Sequence, residues 1–446
     1  MATGDAKPDP VPARSPDSPA RRFVPFDEAR ATILARAASL LMPTEFVPID
    51  EALGRTLREN LVASEPSPRF ANSAMDGFAV RSVDVASAGP DAPVSLRVVE
   101  TVPAGRVATL TIGKGEAIRL MTGAAMPEGA DAVLPVEQTV GGQAPVVQAL
   151  ASVAAGEHVR AAGEDFAAGT VLVSPGRVID PSVIGILATL GHPDAEVSML
   201  PRVAVISTGD ELVAPGAALG PGQIHDSNTH TIRAMIRAAG CEPGPCWHVL
   251  DDAEAVATAI GRVAEHCEAI ITLGGVSAGD FDPVKQALPA LGDVELWRVG
   301  MRPGQPQAFG TVRGKLFFGL PGNPVSSAVV FEMLVRPALW TLLGRSVLDR
   351  PSVRAVLGDA VVSKVGRRDF LRVTLEELSP EESLALGVAY RARLTGTQSS
   401  GAFSSVLTAD GLAMVPDDKP AADRGEVLTV ASTFLPRGVH PRGPSK

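Results

Sequence analysis

The chain contains very little cysteine. Only three of its 446 residues are cysteine, at positions 241, 246 and 267. They form no CxxC pair and are too few for a disulfide framework. This excludes a disulfide-stapled secreted domain and is typical of a reducing compartment. We therefore expect a cytoplasmic protein whose thiols are buried or idle.

Long apolar runs and an excess of positive charge are also missing. No window of 18 or more uninterrupted apolar residues occurs, so no transmembrane helix is predicted. The start of the chain lacks the apolar centre of a signal peptide, and its Pro, Asp, Ser and Ala content predicts a disordered tail over residues 1–22. The net charge of −10 and the pI near 5.3 argue against broad binding to nucleic acid or to an anionic membrane.

The pattern of apolar residues changes several times, and length alone suggests about three domains. Helical spacing predicts an amphipathic helix over residues 26–42 and a second short helix that begins near Asp50 as its N-cap. Short alternating runs split by Gly and Pro predict a β-rich module over about 65–165, and helix returns at 178–191. From about residue 350 onward, short alternating strands predict a small β-barrel or sandwich.

Between these modules, apolar strands alternate with helices from Pro201 to about residue 347. Strands that are apolar along their whole length predict a parallel sheet covered on both faces. In such sheets, ligands bind beyond the carboxyl ends of the strands. Three acidic stretches fall at predicted strand ends: STGDEL (207–212), LDD (250–252) and LGGVSAGDFD (273–282). Asp210 and Glu211 are also compatible with a solvated turn, but three acidic clusters at successive strand ends together favour a functional site.

The stretch GGVSAGDFD predicts a phosphate cradle with unusual charges. Gly274 and Gly275 let backbone amides approach a ligand, Ser277 adds a hydroxyl, and the next helix presents the positive end of its dipole. Asp280 and Asp282 stand where a phosphate loop normally carries lysine. Because carboxylates repel phosphate, they predict a divalent cation, such as Mg²⁺, that bridges to the phosphate oxygens. The alternative is that either aspartate only caps the helix.

Basic residues and a proline turn follow. Arg298 and Arg302 lie four residues apart in WRVGMRPGQPQAFG, and guanidinium groups bind tetrahedral oxyanions through paired donors. Each arginine can instead be a surface salt-bridge partner. The PGNP turn from Pro321 predicts a sharp strand-to-helix reversal, in which Pro324 fits the first helical turn and Asn323 fits the cap. Ligand binding by the exposed amides of this turn is the second interpretation.

Two further stretches hold polar side chains in loops. Asp76 precedes Gly77 in RFANSAMDGFAV (69–80), which is typical of an ordered loop that presents a carboxylate. Thr122 stands beside Gly123 in RLMTGAAMPEGADAVLPVE (119–137), where a hydroxyl and open backbone can contact a ligand. Taken alone, each stretch is also compatible with an ordinary turn.

Together these segments resemble the molybdopterin molybdenumtransferase family of the MoeA type, which is related to the C-terminal part of gephyrin. The resemblance runs from about residue 23 to 435 and follows the family order: SAMDGFAV, RLMTGAAMPEGADAV, GEDF, STGDEL, DSN, GGVSAGDFD, MRPGQPQAFG, FGLPGNPVSS, RRDFLRV and QSSGAFSSVLTADGL. The pattern GGVSxGxxD also occurs in related molybdopterin-binding domains. SAMDG together with TGDEL, RPGxP and PGNPxS is far more specific.

The resemblance implies a multidomain α/β plus β protein with four domains. Domain I is mainly helical and discontinuous (23–64 and 166–200), and domain II is a β-rich insertion (65–165). Domain III is a doubly wound α/β molybdopterin-binding domain (201–347), and domain IV is a C-terminal β-barrel (348–436). The resemblance also implies a homodimer, in which the site lies between domain III of one subunit and domain II of the other.

The implied reaction takes adenylylated molybdopterin and molybdate, and gives molybdenum cofactor and AMP in the presence of Mg²⁺. The implied partners are a molybdopterin adenylyltransferase and molybdoenzyme apo-proteins. The positions implied to be catalytic are Asp76, Thr122, Glu211, Asp251 and Asp282, of which Glu211, Asp251 and Asp282 would hold the metal. The positions expected to bind substrate are Asp165, Gly274, Gly275, Ser277, Arg298, Arg302, Pro321, Gly322, Asn323 and Ser400.

This chain departs from the family pattern at a few positions. Several members carry lysine where Arg298 and Arg302 stand, and arginine keeps the charge while adding paired donors. The turn often written PGKP is PGQP here, so Gln305 removes one positive charge. Phe78 stands where tyrosine is common.

Two other functions stay open. One is the preceding step, adenylylation of molybdopterin by a related α/β domain, although that domain normally stands alone. The other is a scaffold like that of the gephyrin relative, although no long regulatory linker is evident in this sequence.

Overall fold

The structure, a computed structural model, describes residues 22–141, 145–276, 283–288 and 291–432. The predicted disordered tail therefore lies outside the described residues, apart from Arg22. The N-terminal elements are β1 (Arg22–Val24), α1 (Phe26–Ala38), β2 (Thr44–Pro48) and β3 (Leu61–Val62). The predicted amphipathic helix is confirmed as α1, which buries Phe26, Ala29, Ile33 and Ala37 along one face.

The short helix predicted to begin near Asp50 is wrong. Only a single 3₁₀ turn forms, Ile49–Glu51. The chain reverses at Gly54, whose φ of +79° is left-handed, and the Gly54 N–H donates to the Ile179 carbonyl at 2.8 Å. A tertiary hydrogen bond thus replaces the helical one.

The β-rich module is confirmed. Its elements are β4 (Asn72–Ser73), β5 (Gly77–Val80), β6 (Val94–Val102), β7 (Glu116–Leu120), β8 (Ala132–Pro135), β9 (Thr139–Gly141), β10 (Val146–Ala149) and β11 (Val159–Arg160), with 3₁₀ turns at Ser82–Asp84 and Val136–Gln138. Six strands form one sheet in the order β8-β5-β7-β6-β10-β9. β5 lies between β8 and β7, and it approaches β8 so closely that a Cβ on Gly77 would clash with the Leu134 carbonyl oxygen. Glycine at this position lets β5 begin directly after Asp76.

The chain then returns to its N-terminal segment. The next elements are β12 (Val171–Val173), α2 (Pro181–Thr189) and β13 (Asp194–Ser198). β12 pairs antiparallel with β3, and β13 pairs antiparallel with β2. The helix predicted at 178–191 is confirmed as α2, and the Asp180 side chain caps it by accepting from the N–H groups of Ser182 and Val183. The segments before and after the β-rich module thus pack as one unit.

The α/β segment alternates strands and helices as predicted. Its elements are β14 (Arg202–Thr208), β15 (Leu212–Val213), β16 (Ile224–His225), α3 (Ser227–Ala238), β17 (Glu242–Val249), α4 (Ala253–Val263), β18 (Ala269–Leu273), α5 (Pro283–Ala287), β19 (Gly292–Val299), β20 (Met301–Arg302), β21 (Pro306–Val312), β22 (Lys315–Leu320), α6 (Pro324–Val330), a π-helical turn (Phe331–Val335) and α7 (Arg336–Leu342). The main sheet has seven strands in the order β1-β19-β21-β22-β18-β14-β17. Apolar clusters cover both of its faces.

The predicted parallel sheet covered on both faces contains one antiparallel strand, β21. β17, β14, β18 and β22 are parallel, whereas β21 runs antiparallel to both β22 and β19. The cause is a two-residue hairpin between β21 and β22, where Arg313 and Gly314 have φ values of +48° and +75°. This edge carries Arg298 on β19, and it is completed by β1, which pairs parallel with β19.

The helical run from Pro324 to Leu342 is buried in this unit. By length and hydropathy alone it could cross a membrane, but 89% of the run is buried inside the protein. Its apolar side chains pack in the same cluster as those of β14, β18 and β22. The length and apolar character of this run are therefore those of a helix in the protein core.

The predicted C-terminal barrel is confirmed. Its elements are β23 (Ser352–Leu357), β24 (Val361–Val362), β25 (Arg368–Glu377), α8 (Pro380–Leu386), β26 (Tyr390–Leu394), α9 (Ser404–Leu407), β27 (Gly411–Val415), β28 (Ala421–Ala422) and β29 (Val427–Ser432). The ring β25-β26-β23-β29-β27 closes because β27 also pairs with β25. The short strand β20 joins β25 from outside the ring. Phe370 of β25 packs on Phe26 of α1, with ring centroids 5.2 Å apart, and so attaches the barrel to the core of the α/β unit.

Gly310 of β21 allows the antiparallel edge to form, because a Cβ there would clash with the Asp293 carbonyl oxygen of β19. We expect Gly310→Ala to lower the free energy of unfolding by about 3 kcal/mol. Urea denaturation followed by tryptophan fluorescence measures this, since Trp247, Trp297 and Trp340 all lie in the α/β unit.

The matched control for this variant is Gly314→Ala in the hairpin. The added Cβ would meet no atom within 4 Å, so only the left-handed φ makes alanine unfavourable there. We expect this strain to lower the free energy of unfolding by about 1–2 kcal/mol. If Gly310→Ala lowers the free energy of unfolding no more than Gly314→Ala does, the close approach of the strands is not the reason for glycine at position 310.

Candidate active site

Two turns meet at the carboxyl edge of the seven-stranded sheet. After β18, Gly274 and Gly275 adopt φ values of +87° and +68°, which glycine adopts without strain. A Cβ on Gly274 would lie 3.1 Å from both the carbonyl oxygen and Oγ1 of Thr208. A Cβ on Gly322 would lie 3.7 Å from the Gly274 Cα. The predicted phosphate turn and the PGNP turn are therefore neighbours.

The acidic stretches after β14 and β17 also lie side by side. The Asp251 N–H donates to Asp210 Oδ1 at 3.2 Å. Burial raises the pKa of the Asp251 carboxyl, and the negative charges of Asp210 and Glu211 raise this pKa further. A carboxylate crowded by like charges is stabilised by a nearby cation. The structure therefore brings Glu211 and Asp251 together as a pair suited to a positive ligand.

Glycine also places the Glu211 side chain. Gly209 has a φ of +146°, and a Cβ there would lie 2.5 Å from Glu211 Oε2. The Gly209 carbonyl lies 2.9 Å from His248 Nε2, which ties this turn to β17. A larger residue at position 209 would displace the Glu211 carboxylate and would have to adopt a φ that side chains rarely allow.

Three residues predicted for the same edge, Ser277, Asp280 and Asp282, lie outside the described residues. Within the described ranges, no three His, Cys, Asp or Glu side chains are grouped so that they could hold a metal ion. The metal and phosphate roles of these residues stay predictions.

The PGNP turn connects the sheet to the barrel. Pro324 occupies the first turn of α6 as predicted, and Asn323 stands at the N-cap position. The expected capping hydrogen bond from the Asn323 side chain is wrong: its Nδ2 donates instead to Ser400 Oγ at 3.1 Å. The Val325 N–H donates to the Ser400 carbonyl at 3.2 Å. Two expected substrate-binding residues, Asn323 and Ser400, are thus in direct contact.

A second contact holds the PGNP turn from the other side. Asn228, in the DSN stretch at the start of α3, donates its Nδ2 to the Gly322 carbonyl at 2.6 Å. The preceding Asp226 caps α3 by accepting from the Thr229 N–H. DSN is one of the motifs in the family order, but its pattern predicted no role for Asn228. An asparagine in the first turn of a helix capped by aspartate, two residues after that aspartate, was the available signal.

The two predicted arginines lie on different strands. Arg298 is exposed on β19, at the antiparallel edge of the main sheet. Arg302 is on β20, which pairs with β25 of the barrel, and its Nη2 lies 3.1 Å from Asp369 Oδ2. The interpretation of Arg302 as a salt-bridge partner is therefore correct in part, because 37% of its side chain still faces solvent. Arg302 can pair with Asp369 and contact a ligand at the same time.

Arg372 is a site-forming residue that the sequence analysis missed. It is almost fully buried on β25, and it donates to the carbonyl oxygens of Thr397 and Ser399 at 3.3 and 3.1 Å and to Ser405 Oγ at 3.1 Å. It thereby holds the loop that carries Ser400. Burial, and to a smaller extent the charge of Arg302, lower the pKa of Arg372 to about 10. An arginine inside the apolar run FLRV was the available signal.

Asp76 and Thr122 form a compact pair in the β-rich module. The Thr122 N–H and Oγ1 donate to Asp76 Oδ1 at 2.6 and 2.7 Å. These bonds, the backbone one first, lower the pKa of the Asp76 carboxyl. Within the part of the chain that the structure describes, these hydrogen bonds join the two side chains to each other and not to the sheet edge. Asp165 is exposed in the same region, where its N–H donates to the Ser67 carbonyl at 2.9 Å.

Comparison with known families covers nearly all of the described chain. Residues 24–191 match the model of the MoeA N-terminal region (domain I and II), and residues 204–341 match a probable molybdopterin binding domain. Residues 354–432 match the MoeA C-terminal region (domain IV).

Curated relatives and solved structures agree with these matches. The chain is 40% identical over 390 residues to molybdopterin molybdenumtransferase 2 of Mycobacterium tuberculosis, which covers 86% of this chain and 94% of that protein. It is 32% identical over 414 residues to the molybdopterin molybdenumtransferase of Staphylococcus aureus, covering 93% and 96%. The fold is similar to the crystal structure of the molybdopterin biosynthesis moeA protein from Pyrococcus horikoshii, with a TM-score of 0.77, 27% identity and coverage of 92% of this chain and 100% of that one.

The raised pKa of Asp251 depends on its acidic neighbours. We expect Asp210→Asn to lower the pKa of Asp251 toward its ordinary value, because the substitution removes the negative charge that raises this pKa more than the charge of Glu211 does. The ¹³C NMR titration of the Asp251 carboxyl carbon measures this. Because only the ionised carboxyl ligates metal, divalent-cation affinity should fall as the pH drops through the raised pKa.

The control is Asp252→Asn, one residue further on. The Asp252 side chain caps α4 by accepting from the Ala255 N–H at 2.7 Å, and it does not raise the pKa of Asp251. Equal pKa changes in the two variants, or no change in Asp210→Asn, would contradict the assigned cause.

Proposed function

The chain belongs to the MoeA-type molybdopterin molybdenumtransferase family, and we propose that it joins molybdate to adenylylated molybdopterin with release of AMP. Membership makes it a transferase that inserts molybdenum during molybdenum cofactor biosynthesis. The preceding adenylylation step is not favoured, because the family regions that match extend on both sides of the molybdopterin-binding domain. The proposed reaction rests on one observation: the turn at Gly274 and Gly275, the PGNP turn and Ser400 meet at one edge of the sheet.

Both proposed substrates are anions, so the site must offset their repulsion. Backbone amides at Gly274 and Gly275 would cradle the pyrophosphate, with Ser277 as an added hydroxyl donor. The neighbouring Pro321–Gly322 segment would close the cradle from the next strand, where Asn228 fixes its carbonyl. The close approach of Gly274 and Gly322 supports this arrangement.

Glu211, Asp251 and Asp282 would hold Mg²⁺ beside the pyrophosphate. All three supply oxygen donors, which Mg²⁺ prefers, and the pKa of Asp251 is raised by charges that a cation would compensate. When bound, the cation supplies positive charge against the phosphoanhydride that breaks as AMP leaves.

Arg298, Arg302 and Ser400 would bind molybdate, a doubly charged tetrahedral oxyanion. Because Ser400 Oγ accepts a hydrogen bond from Asn323, its own hydroxyl hydrogen is left to donate to an oxyanion. Arg302 is held at Nη2 and has further N–H donors directed elsewhere. The barrel and the sheet would thus each contribute donors to one ligand.

Asp76, Thr122 and Asp165 would reach this site from the partner subunit of a homodimer. The lowered pKa of Asp76 keeps its carboxyl ionised near neutral pH, so it accepts hydrogen bonds and is not a proton donor. We propose a cytoplasmic enzyme that takes its substrate from a molybdopterin adenylyltransferase and passes its product to apo-molybdoenzymes.

A reconstituted reaction tests the proposed activity. Purified protein with adenylylated molybdopterin, molybdate and Mg²⁺ should release AMP and activate an apo-molybdoenzyme, and both signals should be lost without molybdate or with EDTA. AMP release at the same rate with and without molybdate would contradict the proposal. ATP consumption with molybdopterin alone would indicate the adenylyltransferase, and no turnover at all would favour a scaffold.

Subunit mixing tests whether the site is shared. We expect Asp76→Asn and Asp282→Asn to be inactive alone, because each removes one half of every site. After dissociation and random reassociation, half of the dimers carry one intact site of two, so activity should return to about a quarter of wild type. Mixing wild type with the Asp76→Asn, Asp282→Asn double variant measures exchange. If exchange is complete and the two single variants stay inactive together, the site is not shared.

A further inference from the structure

A buried carboxylate lies behind Arg302. The Asp369 side chain on β25 has no exposed surface, yet it faces two guanidinium groups. Arg302 Nη2 lies 3.1 Å from its Oδ2, and Arg367 Nε donates to its Oδ1 at 2.9 Å. A charge buried to this degree is stable only when it is paired and hydrogen-bonded. Asp369 therefore fixes the positions of both arginines.

The backbone places these groups opposite one another. β20 pairs parallel with β25, with Met301 opposite Arg368 and Arg302 opposite Asp369. The Arg368 N–H donates to the Gly300 carbonyl at 2.9 Å and continues this pairing toward β19. Arg302 therefore follows a strand of the α/β unit in sequence but is held in space by the barrel.

The charges around Asp369 leave an excess of positive potential. Arg302 and Arg367 both face this one carboxylate, and the buried Arg372 is close enough to Arg302 for each charge to affect the other. One negative charge cannot neutralise three guanidinium groups. Arg302, the most exposed of the three side chains, presents the surplus positive charge to solvent where β20 joins the barrel.

We propose that Asp369 is a positioning residue for oxyanion binding: it holds the Arg302 guanidinium by Nη2, so that the remaining N–H donors meet molybdate in one orientation. This inference rests on the oxyanion role proposed above for Arg302. A long arginine side chain loses much rotamer freedom when it binds a ligand, and a preformed pair removes part of that loss beforehand. Asp369 itself does not contact the ligand.

A double-mutant cycle tests the proposal in the molybdate-dependent AMP-release assay. We expect Asp369→Asn to raise the KM for molybdate about 10-fold or more, the usual effect of losing a partner that orients a binding group. The KM for adenylylated molybdopterin should hardly change. In the Arg302→Ala background, Asp369→Asn should have little further effect on the molybdate KM, because the group it positions is already absent.

A purely structural role predicts a different result. If Asp369 only stabilises the barrel, its substitution lowers activity toward both substrates and its effect adds to that of Arg302→Ala. Asp369→Glu keeps the charge but moves the guanidinium, so it should also raise the molybdate KM if Asp369→Asn fails to fold. Melting temperatures of all variants are measured beside the kinetics.

The matched control is Asp27→Asn. Asp27 of α1 forms a bidentate ion pair with Arg368 at 2.8 and 2.9 Å. It therefore makes the same kind of contact with the residue of β25 that directly precedes Asp369. It does not touch Arg302 or Asp369, and its side chain is 70% exposed. We expect its molybdate KM to match that of wild type.

The outcomes separate this inference from the proposed function. If Arg302→Ala raises the molybdate KM and neither Asp369 variant does, the positioning role alone is overturned. If Arg302→Ala leaves the molybdate KM unchanged, both the oxyanion role of Arg302 and the inference about Asp369 are overturned. Additive effects in the cycle also overturn the inference.

Discussion

The pairing of β20 with β25 attaches the seven-stranded sheet to the barrel at the point where the candidate site forms. It sets Arg302 opposite Asp369, and nearby the barrel loop at Ser400 bonds to the PGNP turn through Asn323 and Val325. Backbone pairing is directional and tolerates little displacement. A shift of the barrel relative to the sheet would therefore separate the arginine and serine donors from the glycine turn together.

Charge is segregated across this seam. The ends of β14 and β17 carry Asp210, Glu211 and Asp251, close enough for their charges to interact. The barrel side carries arginines around a single buried carboxylate. The net charge of −10 therefore says little about the site, where two local fields of opposite sign lie near each other. The acidic group favours a cation, and the arginine group favours an oxyanion.

The arginine at position 302 has a physical explanation in this arrangement. Its planar guanidinium has five N–H donors, so one edge can pair with Asp369 while the others stay available. A lysine has one compact ammonium group and would have to share it between the two partners. Gln305, which lacks the charge of the PGKP form, contributes through its backbone, where its carbonyl accepts from the Val299 N–H at 2.8 Å.

The sequence by itself determined the features that depend on local pattern. Apolar periodicity identified α1, the β-rich module, the α/β alternation and the barrel, and the motif order identified the family. Tertiary structure alone decided the features whose partners are distant in the chain. The antiparallel edge, the loss of the helix near Asp50, the turning of Asn323 to Ser400 and the burial of Asp369 and Arg372 all depend on groups far away in sequence. Local propensity favours a cap or a helix by about 1 kcal/mol or less, so one tertiary hydrogen bond or buried ion pair is enough to override it.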